Sequence, residues 1–480
     1  MGEAKQRAPR RGDRRGAARR GVIAVALALV ATSIAAGVPR VEAAISIYGR
    51  GLPAEPVPHL GDEDLPPPTP PIVIFGPAFL ETGDIERGIE LPTGAVWTPS
   101  LWLFGQGRTA LQTQDTGDAD RGSEWVNTLD LYANLQLTGT ERFQIGINPL
   151  RRGLNFTGYR FEPDEDEGGF SRFGANITRL FFEGDFGELF PDLDPGDQLG
   201  LDYGFAVGRQ LLSFQQDILI NDTVDGVGIV RNASLMPGGS NLRVTGFFGW
   251  NEISRGDTVN DRNANLFGLF TQADFLERTV AFDGIYVESD DTAGDGLYLA
   301  ASHYQRFGLW YNTVRVLGSL SVNGPETDKV KDGVLLFTDF STTPQTSDDI
   351  FYVTLFSAFG EFTQAGRDHF IGGPLTRAGI LFASPQLGSY VGPLSARAND
   401  VVGFSVGRQW FLVPNNREQL VVELGGRKEI TGPEAGGLGL AGRYQIQIHN
   451  QAFWQFELYG TVKEKEGPGY GARSEILVRF

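Results

Sequence analysis

The chain has 480 residues, with 41 Lys or Arg, 59 Asp or Glu, no cysteine and a net charge of −18. The absence of cysteine excludes disulfides, thiolate metal sites and cysteine nucleophiles, and the acidic excess disfavours nucleic acid and anionic lipid as partners. Hydrophobic residues make up only 41%, which is low for a bundle of membrane helices but suits a transmembrane β-barrel, where alternate residues face lipid.

Residues 1–43 have the organisation of a cleaved secretory signal peptide. Eight basic residues between positions 5 and 20 precede a short apolar run at 22–36, and Val41-Glu42-Ala43 resembles a small-residue cleavage site. Residues 1–43 hold nine of the basic and three of the acidic residues, so the exported part carries 32 basic and 56 acidic groups, a net charge of −24. We therefore predict export through the inner membrane.

Residues 44–95 form a distinct Pro-rich segment that we expect in the periplasm. Proline is dense between residues 51 and 71, beside the acidic run Asp62-Glu63-Asp64. This composition favours a polyproline II or disordered conformation. A linker is the simpler interpretation, and contact with the cell wall is the alternative.

Residues 96–480 read as a series of strands separated by Gly, Asp and Pro turns. In 125–138 the odd positions are mainly apolar, beginning with Trp125, and the even positions are mainly polar, which is the period-two pattern of a strand between lipid and water. The chain is therefore expected to be all-β, a transmembrane antiparallel barrel of about eighteen strands, or sixteen if weak segments such as 225–233 are not strands. The segments begin near residues 97, 125, 142, 175, 201, 225, 241, 265, 278, 296, 309, 332, 349, 401, 419, 440, 452 and 470.

Short and long connections alternate along this series, which is typical of bacterial outer-membrane barrels. The alternation places both termini in the periplasm, and only the inner turn 185–200 is longer than expected. The short inner turns are 139–141, 274–277, 306–308, 413–418 and 450–451, and the long outer loops are 113–124, 151–174, 251–264, 320–331 and 361–400.

The last strand resembles the closing strand of Gram-negative outer-membrane barrels. Ile476, Val478 and Phe480 share one face, and Arg473 and Glu475 lie on the other. The resemblance implies that Phe480 is the assembly signal. It also implies the outer membrane of a Gram-negative bacterium, with the barrel-assembly machinery, outer-membrane lipid and lipopolysaccharide as partners.

The connection at 211–225 is the candidate constriction. A barrel of sixteen to eighteen strands encloses an aqueous lumen, and this connection resembles the third outer loop of general porins, which folds into the lumen. An external loop with a short extra strand is the alternative. The constriction residues would be Phe214, Gln215, Gln216, Asp217, Asn221, Asp222 and Asp225.

Strand parity also assigns charged residues to the lumen wall. The run 204–210, repeated with one change at 403–409, resembles outer-membrane porins, nearest to the alginate-export and carbohydrate-porin groups. A modest excess of arginine would suit anions, acidic sugars or carboxylates; alternatively, these charges only pair and keep the lumen wet. The pore-lining residues would be Asp130, Arg243, Arg315, Glu423, Arg427, Arg443, Glu457 and Arg473.

No catalytic, cofactor or metal motif stands out. The four histidines lack HExxH spacing and no G-x-S-x-G elbow occurs. We therefore expect a porin for passive diffusion of small hydrophilic solutes, anionic or sugar-like. An acidic polysaccharide or oligosaccharide channel is one alternative and predicts a continuous arginine track. A non-conducting enzyme, adhesin or structural barrel is another and predicts a lumen plugged by residues 361–400 or an N-terminal element. The sequence leaves the solute, the channel radius and a homotrimer open.

Overall fold

The computed structural model describes residues 69–76, 88–117, 121–152, 155–196, 198–256, 259–289, 293–323, 327, 329–344, 347–367, 372–412, 417–431 and 436–480. The predicted signal peptide and the proline-dense stretch as far as residue 68 lie outside these residues.

Eighteen antiparallel strands form a closed barrel. Each pairs with the next along the chain, and β18 returns to pair with β1. The strands are β1 Ser100–Asp115, β2 Gly122–Gln136, β3 Arg142–Asn148, β4 Asn176–Asp185, β5 Tyr203–Phe214, β6 Ile220–Ser234, β7 Asn241–Trp250, β8 Asn265–Asp274, β9 Arg278–Glu288, β10 Asp295–Phe307, β11 Trp310–Val322, β12 Gly333–Thr342, β13 Ile350–Phe362, β14 Val401–Phe411, β15 Glu418–Glu429, β16 Gly437–His449, β17 Ala452–Lys463 and β18 Gly469–Arg479.

The eighteen-strand prediction is confirmed, and each predicted start lies within five residues of the observed one. The weak segment 225–233 lies inside β6, which decides eighteen strands over sixteen. Period-two patterning succeeds because each strand turns one face outward and the other toward the lumen. In β15, for example, Leu424 is 43% exposed on the outer face while the inward Glu423 is fully buried, the reverse of a soluble protein.

The two ends of the barrel differ in their connections. One end, called the short-turn end, carries tight connections such as 308–309 and 450–451, and the other carries the longer loops. The predicted exception at 185–200 is a folded element, with an α-helix at Phe186–Leu189 and a 3-10 helix at Pro191–Leu193. It contacts a small hairpin, Ile89–Glu90 with Val96–Trp97, through the Asp192 N–H and the Thr93 carbonyl. In the described part of the chain, no helix is long and apolar enough to cross a membrane.

The barrel closes at a seam on β1. β18 pairs with residues 106–115 of β1, and Phe480 exchanges two backbone hydrogen bonds with Gly105. Nearer the start of β1, Val73–Phe75 pairs with residues 101–103 and runs in the same direction as β18. The segment preceding the barrel thus continues the line of the last strand and covers an edge of β1 that would otherwise be unpaired.

Several inward-facing rings lie close against the backbone of the wall. Several stand directly opposite an inward glycine on the neighbouring strand, where a Cβ would meet the ring. Glycine therefore gives these rings room against the backbone. The pairs are Tyr132 with Gly146, Phe247 with Gly228, Tyr352 with Gly407, Phe356 with Gly403 and Tyr459 with Gly471.

Candidate functional site

The largest structure inside the barrel is the connection between β13 and β14. The chain leaves β13 at Phe362 and folds into the barrel through a 3-10 helix at Pro374–Ala378. It returns as Ala398–Asn399, which pairs with the end of β13. Its residues Leu375, Leu381 and Tyr390 are buried in one cluster with inward side chains of the wall. We call residues 363–367 and 372–398 the inward segment. The sequence placed this region in an outer loop, 361–400, whereas most of its described part packs inside the barrel.

One side of the inward segment is held by Glu423 of β15. The Glu423 carboxylate accepts hydrogen bonds from the backbone N–H groups of Ile380 (3.0 Å) and Leu381 (2.9 Å) and from the Tyr352 hydroxyl (2.6 Å). Gly379 lies so close to this carboxylate that a Cβ would collide with it. Glu423 therefore faces inward, as its parity predicts, but it binds the segment and is shielded from water.

The other side is held by β1 and β2. Arg108 donates to the Pro385 carbonyl (2.9 Å) and Gln112 to the Leu387 carbonyl (3.0 Å). Glu124 accepts from the backbone N–H (2.5 Å) and the hydroxyl (2.9 Å) of Ser389. These contacts satisfy backbone groups that would be costly to bury unpaired. The segment is therefore hydrogen-bonded to the barrel wall on both sides, at β15 and at β1 and β2.

The predicted constriction at 211–225 is also inward, but much smaller than expected. Residues 211–214 belong to β5 and β6 begins at Ile220, so only 215–219 form a turn. Gln215, Gln216 and Asp217 all have left-handed backbone conformations, with φ of 54°, 53° and 68°, which is strained for these residue types.

Contacts inside the barrel hold this turn in place. Gln215 donates to Asp283 (2.7 Å), and the Phe214 ring stacks on Phe270 with centroids 3.4 Å apart. Gln364 of the inward segment donates to the Asp217 carbonyl (2.7 Å), and Arg377 forms an ion pair with the Asp217 carboxylate. The turn and the inward segment thus form one body, while Gln216 stays exposed.

The remaining predicted constriction residues have other positions. Asn221 joins the inward segment through its backbone N–H and the Gly366 carbonyl (3.0 Å). Asp222 is buried and accepts from the Ser254 N–H (2.7 Å). Asp225 differs from the expectation, because it lies within β6 and not in the connection. Its side chain is on the outward face, opposite Arg209, at 3.7 Å.

Most of the predicted lumen charges face inward but are paired. Arg443 donates to Glu457 (2.7 Å), and Arg473 contacts Glu475 and Gln112. The remaining arginines with ion pairs are Arg427, paired with Glu429 (3.4 Å) and donating to Ser395, and Arg315, paired with Asp339 (2.7 Å).

Burial separates these charges into two groups. Arg315 is fully buried, with its guanidinium over the rings of Tyr304 and Phe337, so it does not contact the open lumen. Glu457, Arg427 and Arg473 are likewise buried. Arg243 is exposed, and Asp130 is partly exposed and accepts from Gln106 and Asn148. Among the described residues, no group of His, Cys, Asp or Glu is arranged to hold a metal ion.

Sequence reasoning missed the arginines on β3 and β4. Arg179 lies over the Tyr132 ring (5.2 Å) and donates to Gln144 (3.3 Å), and Arg142 pairs with Glu183 (2.5 Å). The starts of β3 and β4 were predicted, but a register shift between Gly146 and Ile147 makes it hard to tell from the sequence which of their residues face inward.

A cavity of about 520 Å³ remains along the inner faces of β5, β6 and β7. Its lining includes the small inward residues Gly204, Ala206 and Gly228, with Thr245 and the Phe247 ring. A second groove, of about 550 Å³, is lined by Phe248, Phe267 and Leu269. Those three side chains point outward, so this groove lies on the outer face of the barrel. We call the inner faces of β3–β7 the open wall, except for the ends of β5 and β6 at the turn 215–219, which contact the inward segment. We call the inner faces of β8–β18, β1 and β2 the clamped wall.

No protein-family model and no curated protein matches the chain. Solved porin structures do match it. The chain aligns over 79% of its length with 98% of a BenF-like porin from Pseudomonas fluorescens Pf-5, at 12% identity and a TM-score of 0.54. It aligns over 79% with 99% of OccAB3 from Acinetobacter baumannii, at 10% identity and a TM-score of 0.52. It also aligns over 79% with 98% of OpdK from Pseudomonas aeruginosa, solved with vanillate, at 11% identity and a TM-score of 0.50.

Similarity at this level of identity establishes the fold. These structures give no support to the narrower resemblance to alginate-export or carbohydrate porins. The chain has the eighteen-stranded barrel fold of outer-membrane porins.

Proposed function

We propose that the chain forms an outer-membrane channel for passive diffusion of small hydrophilic solutes. The observation that carries the proposal is a closed barrel whose inward segment is clamped to one wall while a cavity remains along the other. A barrel of this strand number is wide enough for a water-filled path beside such a segment.

The proposal includes the orientation and the partners. The short-turn end, with Phe480, lies in the periplasm, because outer-membrane barrels have short periplasmic turns and longer external loops. Residues 1–43 are removed on export, and Phe480 serves the assembly machinery. The outward apolar faces contact outer-membrane lipid, and the acidic outer loops contact lipopolysaccharide through divalent cations. Whether the barrel assembles as a homotrimer is to be decided by measuring its oligomeric state.

We further propose a preference for small anions. Arg243 is exposed in the lumen, and Arg179 and Arg443 are partly exposed, so the accessible charge includes several arginines. OpdK, which shares the fold, was solved with vanillate, a carboxylate. A long acidic polysaccharide fits less well, since the inward arginines are largely ion-paired rather than a continuous track and the clamped segment obstructs the lumen.

Liposome swelling tests the proposal. Mature protein refolded into liposomes should admit small sugars and small carboxylates and exclude larger oligosaccharides. The control is an equal amount of protein left unfolded in urea and added to the same lipids. If the folded barrel gives no swelling with any solute, the inward segment is a plug and the non-conducting alternatives take precedence.

A further inference from the structure

A strip of uncharged carboxamides crosses the clamped wall near the short-turn end. Gln419, Gln445 and Gln455 stand directly opposite one another on β15, β16 and β17. Gln409 of β14 joins the strip by donating a hydrogen bond to Gln419. Adjacent strands are about 4.8 Å apart, so four amide groups lie on one continuous surface.

Two of these amides have no protein partner within the described part of the chain. The side chains of Gln445 and Gln455 are half-buried and take part in no hydrogen bond with the described residues. Each carboxamide keeps two donors and an acceptor for water or a solute. Phe453 is the next inward residue after Gln455 and places an apolar ring beside them; its other neighbour is Arg479, over the ring at 5.2 Å.

The carboxylates around the strip are already paired with arginines. One inward position further into the barrel, Arg443 pairs with Glu457 (2.7 Å). In the same row as Gln455, Glu475 accepts from Arg108 (2.6 Å) and from Arg473. The amides themselves are uncharged and offer both donors and acceptors, which suits hydroxyl groups, since these also donate and accept.

We propose that Gln409, Gln419, Gln445 and Gln455, with Phe453, form a subsite for neutral polyhydroxy solutes such as mono- and disaccharides. The amides bind hydroxyl groups, and the Phe453 ring packs on the apolar C–H face of the sugar. The inference rests on the proposed channel function and adds a solute class to it. The strip lies two inward positions, or ~13 Å, from Glu423 toward the short-turn end. A solute therefore reaches it on the short-turn side of the inward segment.

Sucrose-induced interruption of single-channel current tests the subsite. Sucrose added on the short-turn side should interrupt the current of the wild-type channel. The Q445A/Q455A double variant should raise the dissociation constant about tenfold, since two hydrogen-bonding groups are lost. The matched control is Q272A, because Gln272 is an inward glutamine near the same end, on β8, but its amide already binds Asp274 (3.2 Å). Its dissociation constant for sucrose should not change.

The outcomes separate the two proposals. An open wild-type channel that sucrose never interrupts contradicts the subsite and leaves the channel function standing. Equal sucrose affinity in wild type and Q445A/Q455A, or equal weakening in Q272A, also contradicts the subsite. A folded barrel that carries no current contradicts the channel function, and the subsite with it.

Discussion

The clamped wall and the open wall use the same strand pattern for different purposes. On the clamped wall, long polar side chains such as Glu124 and Glu423 bind backbone groups of the inward segment. On the open wall, small residues such as Gly204, Ala206 and Gly228 border the remaining cavity. An inward polar residue in a barrel is therefore not a pore-lining residue by parity alone; what covers it decides its role.

Removing the inward segment should have the largest effect on the difference between the two walls. Replacing residues 372–396 with a short Gly-Ser linker should raise single-channel conductance several-fold, because the clamped wall would then also face water. The control replaces Asp164–Asp166, a 3-10 helix in another loop at the same end, and should leave conductance unchanged. An unchanged conductance after segment removal would show that the segment does not set the constriction.

Removing the Glu423 clamp should loosen the segment without deleting it. Glu423→Ala leaves the buried N–H groups of Ile380 and Leu381 without their acceptor, at a cost of about 1–3 kcal/mol for each group. We expect rapid current fluctuations and a lower unfolding temperature. Glu423→Gln is the matched variant, since it retains one acceptor oxygen and should behave closer to wild type. A steady wild-type current in Glu423→Ala would contradict the clamp.

Narrowing the open wall should have a smaller but definite effect. Gly228→Leu displaces the Phe247 ring, which lies against Gly228, and should lower conductance about twofold by filling the cavity. The matched control is Gly284→Leu, at an outward glycine on β9 that lines the groove on the outer face. If both variants conduct like wild type, the path for ions does not follow β5–β7.

Neutralising single arginines should separate accessible from buried charge. Arg243→Gln should lower anion preference by a few millivolts of reversal potential in a salt gradient, because Arg243 is exposed in the lumen. Arg473→Gln should leave selectivity nearly unchanged but reduce thermal stability, because the buried Arg473 balances Glu475. The opposite result, with Arg473 controlling selectivity, would contradict the assignment of the two walls.

The strands were predictable because a wall between lipid and water imposes a period of two on every segment. The inward segment was not, since residues 363–398 have no regular period and their partners, such as Glu124, lie far away in sequence. Asp225 was placed in the constriction because β6 begins earlier than its composition indicated. Parity predicts only that Glu423 and Arg473 turn toward the lumen, whereas the structure shows that the segment and neighbouring charges cover them.

Single-channel recording of the refolded mature protein in a planar bilayer, with a salt gradient, tests the central claim that a fixed constriction leaves an open path. We predict a steady, long-lived conductance and a reversal potential whose sign shows a preference for anions. The conductance should increase when residues 372–396 are replaced. A correctly folded barrel that carries no current until those residues are removed would contradict the claim, since the inward segment would then be a plug.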